Sequence, residues 1–206
     1  MYSLNNIRGD AMNRNRLLLK AMLIGLPIVV CLLWITGTIN LWFYGMGDIA
    51  NNVKDYYLEL EPIDGTYTVL IDLSDPESNE GKVLFDDGEH QIYVSDVITL
   101  NEANYEVFFR TSGKYNLHGA TLVSGIEHKR VQGGFSFDFL ATARANYRGS
   151  NFKIYESGTS GINYKDGDSF GLYLIPHDTE VNVNISEDPI IEITLSNLIM
   201  HKWGRK

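Results

Sequence analysis

The chain has 206 residues, 44% of them hydrophobic, 12% aromatic and 21% charged, with 19 Gly, 5 Pro and 1 Cys. Those proportions exclude collagenous, low-complexity and disulfide-scaffold proteins and leave room for about one domain plus an appendage. With 17 Lys+Arg against 26 Asp+Glu and a formal net charge of −9, the chain has the wrong sign for wrapping phosphates, and no nucleic-acid partner is expected.

Residues 1–20 read as a cytoplasmic tail. From Ala21 to Tyr44 no residue is charged, and as a helix that run would cover about 36 Å, enough for a hydrocarbon core of roughly 30 Å. A single N-terminal transmembrane helix over residues 21–44 is therefore expected. It is longer than the apolar part of a cleaved signal peptide and lacks a good small-x-small site, so it reads as an uncleaved signal anchor. Arg8, Arg14, Arg16 and Lys20 precede it with only Asp10 opposing, which places the N-terminus inside and the chain after Tyr44 outside. Trp34, Trp42 and Tyr44 are expected at the membrane interface. Ala21 and Gly25 form a small-xxx-small pair that lets two helices approach, and Pro27 is a kink site. Cys31 falls within the bilayer as a small apolar side chain, and Ile28-Val29-Val30 before it do not resemble a lipid-attachment motif.

Residues 45–62 are expected to form a juxtamembrane connector helix, because Ile49, Val53, Tyr56, Tyr57 and Leu60 recur at helical spacing. No Pro/Gly/Ser-rich linker follows, so the domain should lie close to the bilayer. Removing the four positive charges and the one negative charge of residues 1–20 from the whole-chain totals leaves the outer part near −12.

Residues 63–206 alternate with period two and turn about every ten residues. Val83–Val94 around Asp86-Asp87-Gly88 reads as a hairpin. Phe135 to Tyr147 reads as one long strand, Phe135, Phe137, Phe139, Ala141, Ala143, Ala145 and Tyr147 sharing a face; its change from Phe to Ala marks either a taper in the core or a groove. Further strands are expected at residues 67–73, 105–110, 115–123, 152–155, 170–175, 181–185 and 190–195. With no helix between them, the fold class is an all-β domain, an antiparallel β-sandwich of jelly-roll-like kind. The basic end, Met200 to Lys206, reads as a terminus that frays or lies on anionic headgroups, with Trp203 at the membrane interface.

Catalytic signatures are near misses. Gly134-Phe135-Ser136-Phe137-Asp138 lacks the last Gly of a nucleophile elbow, and Gly113-Lys114 lacks the rest of a phosphate loop. The histidines at 90, 118, 128, 177 and 201 show no i, i+4 pair and read as structural, so no metal site is assigned. No catalytic or cofactor-binding residue is assigned, and the protein is not expected to be an enzyme. The acidic stretches Asp72–Glu80, Asp86–Glu89 and Asp166-Gly167-Asp168 are weak calcium candidates without the ordered spacing of an EF-hand. Asn184-Ile185-Ser186 is a formal glycosylation sequon. The cysteine-free outer part points to a bacterial cell envelope.

The expectation is a single-pass accessory subunit whose outer domain makes protein–protein contacts, partnered by the lipid bilayer and by an integral membrane protein or a second copy. The alternative is an anchored module for glycan or cell-wall polymer, in which Tyr residues stack on sugar rings. A row of aromatics on an outer sheet face would separate the two.

Overall fold

A computed structural model describes residues 20–101, 104–131, 134–175, 181 and 183–206. The tail of residues 1–19, with Arg8, Asp10, Arg14 and Arg16, lies outside the described residues, as does His177. The chain divides into two compact units between Phe43 and Tyr44.

In the first unit the apolar run is broken. Helix α1 (Lys20–Ile35) ends and α2 (Thr38–Tyr44) leaves it at 70°. Among the described residues no single helix is long and apolar enough to cross a membrane; only the bent pair passes together, by length and composition. At about 1.5 Å per residue α1 measures about 24 Å, short of a bilayer core. The break has a local cause that hydropathy does not register. Gly37 takes a φ of 77°, its N–H donates to the Trp34 carbonyl at 3.0 Å, and the Thr36 hydroxyl donates to the Leu33 carbonyl, so the last turn tightens and closes in the left-handed region. Trp34, Trp42 and Tyr44 are exposed, and the rings of Trp42 and Phe43 lie 5.0 Å apart. Ala21 is exposed, and nothing lies within 4 Å of where a Cβ on Gly25 would be.

The second unit is built from antiparallel strands. One sheet holds β1 (Tyr56–Asp72), β5 (Lys114–Asn116), β6 (Gly119–Ser124), β9 (Thr142–Tyr147), β10 (Ser150–Lys153) and β13 (Ile190–Arg205). A second sheet, in the order β11-β12-β4-β3-β2, holds β2 (Val83–Asp86), β3 (Gln91–Asn101), β4 (Asn104–Ser112), β11 (Tyr155–Thr159) and β12 (Ser169–Tyr173). Among the described residues, strands β7 (Ile126–Val131) and β8 (Gly134–Phe139) pair only with each other. Strand β13 organises the first sheet. β1 runs along its whole length, from Asp72 opposite Ile190 to Tyr56 opposite Arg205, while its other edge pairs first with β9 and then with β6. Between the halves the register shifts at Ile63/Thr66, and Gly65 and Asn197 take positive φ values of 128° and 59°, which turns the two strands together.

The first half of β13 and the second sheet sandwich an apolar core. Ile191, Ile193 and Leu195 meet Val94, Val107, Phe109, Phe170 and Leu172, all buried, with the period-two alternation that the sequence carries. Ala143 and Ala145 of β9 lie in the same core at 2% and 1% exposure. These small side chains sit beside Tyr147, whose hydroxyl donates to the Asn184 and Asp188 carbonyls.

Several sequence expectations are corrected. The connector helix over residues 45–62 reduces to α3 (Met46–Asn51); from Tyr56 the chain is strand, because Tyr56, Leu58 and Leu60 also fit period two and find a partner in β13. The run Phe135–Tyr147 is two strands in different sheets, broken where the N–H groups of Leu140 and Ala141 both donate to the Gly125 carbonyl. The stretch 115–123 is two short strands, β5 and β6, and the described residues of 181–185 are not strand. The basic end is not frayed: Met200–Arg205 forms the second half of β13, and Trp203, expected at a membrane interface, is 5% exposed within the domain. Here cross-strand pairing on both edges overrides the charge of the segment.

Candidate functional site

Two features of the second unit have the chemistry of binding. The first is the outer face of the second sheet. Phe170, Leu172 and Leu174 turn into the core, so Tyr173 and Gly171 turn out. By the same alternation on β4, Glu106, Phe108 and Arg110 turn out between buried Tyr105, Val107 and Phe109. Tyr155 stands opposite Tyr173, Tyr173 opposite Glu106, Phe108 opposite Gly171, and Tyr93 opposite Arg110. Tyr173, Phe108 and Tyr93 are therefore successive diagonal neighbours across three strands, each step about 7–8 Å, and Tyr155 extends the line to the edge strand. A Cβ on Gly171 would lie 2.9 Å from Phe108 Cε1 and 3.1 Å from Glu106 Oε1, so the absence of a side chain there lets the phenyl ring lie over the sheet. Arg110 sits 4.1 Å above the Tyr164 ring and donates to Asp166 Oδ1 at 2.9 Å. Burial works against its charge, and the Asp166 carboxylate restores it, leaving its pKa raised.

The second feature is a cavity of about 270 Å³ beside the second half of β13, lined by Ala50 and Asn51 of α3, Leu58 of β1, His128 and Arg130 of β7, Phe137 of β8, Ile162 and Asn163 of the loop before β12, and Trp203. Its walls are pinned by hydrogen bonds to main-chain carbonyls: the Met46 N–H donates to the Lys165 carbonyl at 2.7 Å, and Arg130 Nη2 donates to the Ala50 carbonyl at 2.7 Å. Gly45, at φ 59°, is required at this joint, since a Cβ would land on the Lys165 carbonyl oxygen.

Behind the cavity wall lies a buried polar relay. His128 Nε2 bonds Asp168 Oδ2 at 2.6 Å, and Thr111 donates its hydroxyl to Asp168 Oδ1 at 2.6 Å while accepting the Asp168 N–H at 2.9 Å. Asp168 and Thr111 are fully buried. The His128 N–H donates to His201 Nε2 at 3.2 Å, which puts the His201 proton on Nδ1, a buried atom without a hydrogen-bond partner. Burial first, and the neighbouring His128 second, push the His201 pKa down to about 4, so it stays neutral at neutral pH. Its ring stacks on Trp203 with centroids 5.5 Å apart and planes 14° apart.

A third cluster is an internal brace. His90 Nδ1 bonds Asp87 Oδ2 and His90 Nε2 bonds the Thr121 hydroxyl, each at 2.8 Å. Asp87 Oδ1 also accepts the N–H groups of Glu89 and His90, so the turn between β2 and β3 is tied to β6 of the other sheet.

The acidic stretches are organised by protein groups. Asn79, fully buried, spans the Asp72–Glu80 loop, accepting from the Asp72 N–H and Lys82 and donating to the Asp72 carbonyl. Among the described residues no group of three or more His, Cys, Asp or Glu side chains is placed to hold a metal. In the Asp166-Gly167-Asp168 turn one carboxylate pairs with Arg110 and the other with His128.

Of the residues singled out from sequence, Ala21, Gly25, Trp34 and Trp42 belong to the first unit, and Trp203 lines the cavity. Sequence reasoning missed His128, Asp168, Thr111 and His201, and it missed the diagonal of Tyr93, Phe108 and Tyr173. The alternation on β4 and β12 was the usable signal for the diagonal; the relay had none, since its members lie far apart in the chain.

No protein-family model matches the chain, and no curated protein or solved structure does so.

Proposed function

We propose that this is a membrane-anchored, non-catalytic recognition module whose outer sheet face binds a glycan or cell-wall polymer outside the cell. The observation that carries this reading is the line Tyr155, Tyr173, Phe108, Tyr93 across four strands. Successive rings at sheet spacing give a chain of sugar rings successive stacking platforms, and Glu106, Asp96 and Arg110 beside them supply acceptors and donors for hydroxyl groups. Anchoring is assigned to the bent pair: α1 enters the bilayer, and α2, carrying Trp42, Phe43 and Tyr44, turns at the headgroup level where such rings are favoured. The positive charges before the run keep the N-terminus in the cytoplasm of a bacterial cell.

The test is sedimentation of the full-length protein, in mild detergent, with insoluble cell-wall material. Tyr173 is 43% exposed, so Tyr173→Ala is expected to spare the fold while weakening retention about tenfold, as loss of an aromatic stacking contact does. Unchanged retention by Tyr173→Ala and by Phe108→Ala would sink the reading.

A second reading, the accessory subunit of a membrane complex, is favoured by the open Ala21–Gly25 face of α1. It requires a stoichiometric integral membrane partner in native mass measurements, lost when α1 and α2 are replaced by an unrelated helix.

A further inference from the structure

Beside the second half of β13, on different strands from the aromatic line, the cavity combines features that the outer face lacks. Its volume of about 270 Å³ falls just below the range of roughly 300–1,000 Å³ that takes drug-sized ligands, so its occupant is a single ring. Leu58, Phe137, Ile162 and Trp203 give it apolar walls, Asn51 and Asn163 add amide groups, and Lys129 and Arg130 add cationic side chains. His201 covers one face of the Trp203 indole.

His128 decides the chemistry. It is 8% exposed and lines the cavity. Its Nε2 is committed to Asp168, whose other oxygen is held by Thr111. This bond fixes the tilt of the imidazole, as the buried carboxylate of a catalytic or metal-ligating histidine does. No described residue bonds the remaining ring nitrogen, Nδ1, and it is not among the fully buried atoms lacking a partner, so it keeps accessible surface on a residue that lines the cavity. An unspent polar atom on an oriented, nine-tenths-buried side chain beside a mostly apolar cavity is the mark of a ligand contact. A hydroxyl is the group that complements Nδ1 whether the imidazole accepts or donates there, since a hydroxyl does both.

We propose that this cavity binds a hydroxyl-bearing six-membered ring, the ring against Trp203 and the hydroxyl on His128 Nδ1. Two sources share that chemistry, the end residue of a glycan and a free phenolic molecule. The proposal does not depend on the outer aromatic face, and Tyr173→Ala leaves the cavity site intact.

The experiment uses the full-length chain in lipid nanodiscs. Trp34→Phe and Trp42→Phe leave Trp203 as the single indole of the 3 Trp, and its fluorescence is followed on titration with N-acetylglucosamine, phenol and benzene. The expected result is a saturable change with the sugar or with phenol, the former assigning a glycan end and the latter a phenolic ligand. Either one binds at least about tenfold more tightly than benzene, the value of one hydrogen bond. Ile162→Phe, which fills the cavity from its loop wall without adding an indole, removes the response, and His128→Leu removes the preference for the hydroxyl. If His128→Leu fails to fold, the Ile162→Phe arm still decides the matter. No saturable response to sugar or phenol, no preference over benzene, or a response that survives Ile162→Phe would overturn the proposal.

Discussion

The two halves of β13 are one strand with one partner, β1, along its whole length, yet they face different interiors. The first half sends Ile191, Ile193 and Leu195 into a closed apolar core. The second puts Trp203 in the lining of a cavity, with His201 behind it against His128, whose Asp168 and Thr111 partners complete the relay. The contrast separates what holds the domain together from what it keeps available. A sealed aliphatic core gains stability per buried area with no orientation to maintain, whereas a buried polar relay adds little net stability and confers fixed geometry. The bend at Gly65 and Asn197 is the boundary between the two.

The largest effect expected from testing that contrast is on the polar side. Asp168→Ala strands His128 Nε2 without a partner and leaves the Thr111 hydroxyl only the main chain of residue 168, and should cost about 4 kcal/mol, read as a shifted denaturant midpoint of the full-length protein in detergent. A cost below about 1 kcal/mol would mean that the relay is not closed to water. Next comes the sealed side, where Leu195→Ala should cost about 3 kcal/mol by leaving a hole in a packed core. A near-neutral result there would erase the distinction between the halves.

The smallest effect is pH-linked. His201 stays neutral in the folded protein down to about pH 4, whereas in the unfolded chain it takes up a proton near its ordinary value of about 6.5. Its contribution is complete above about pH 6.5, falls as the pH drops toward 4, and is level below that. At pH 5.5 the loss is about 1 kcal/mol. His201→Gln, which keeps an acceptor for the His128 N–H, should flatten that part of the stability–pH curve; an unchanged slope would place the acid sensitivity elsewhere.

Much of the sealed half was readable in the sequence, because alternation on Tyr105–Arg110, Phe170–Leu174 and Ile190–Leu195 follows directly from burial on one face. The hairpin at Asp86-Asp87-Gly88 was readable for the same local reason. The other half was not. His128 and Asp168 are 40 residues apart and His128 and His201 are 73 apart, and only the fold brings them together. Asp168, in an Asp-Gly-Asp turn, looks in sequence like any solvated turn acid. Composition also misled at Met200–Arg205, where Lys202 and Arg205 disguise a strand paired on both edges, and at Thr36-Gly37, where hydropathy is blind to a backbone break.

The pairing of β13 has a consequence for the order of events during folding. It follows every other strand in chain order, yet it lies between β1 and both β6 and β9. Until Ile190–Arg205 is in place, those three strands have no common neighbour, and their open edges are adhesive to other chains. The domain cannot be completed piecemeal from its first residues onward. Its closure waits on contacts spanning almost its full length, which makes it a slow folder and makes the interval before closure its most vulnerable moment.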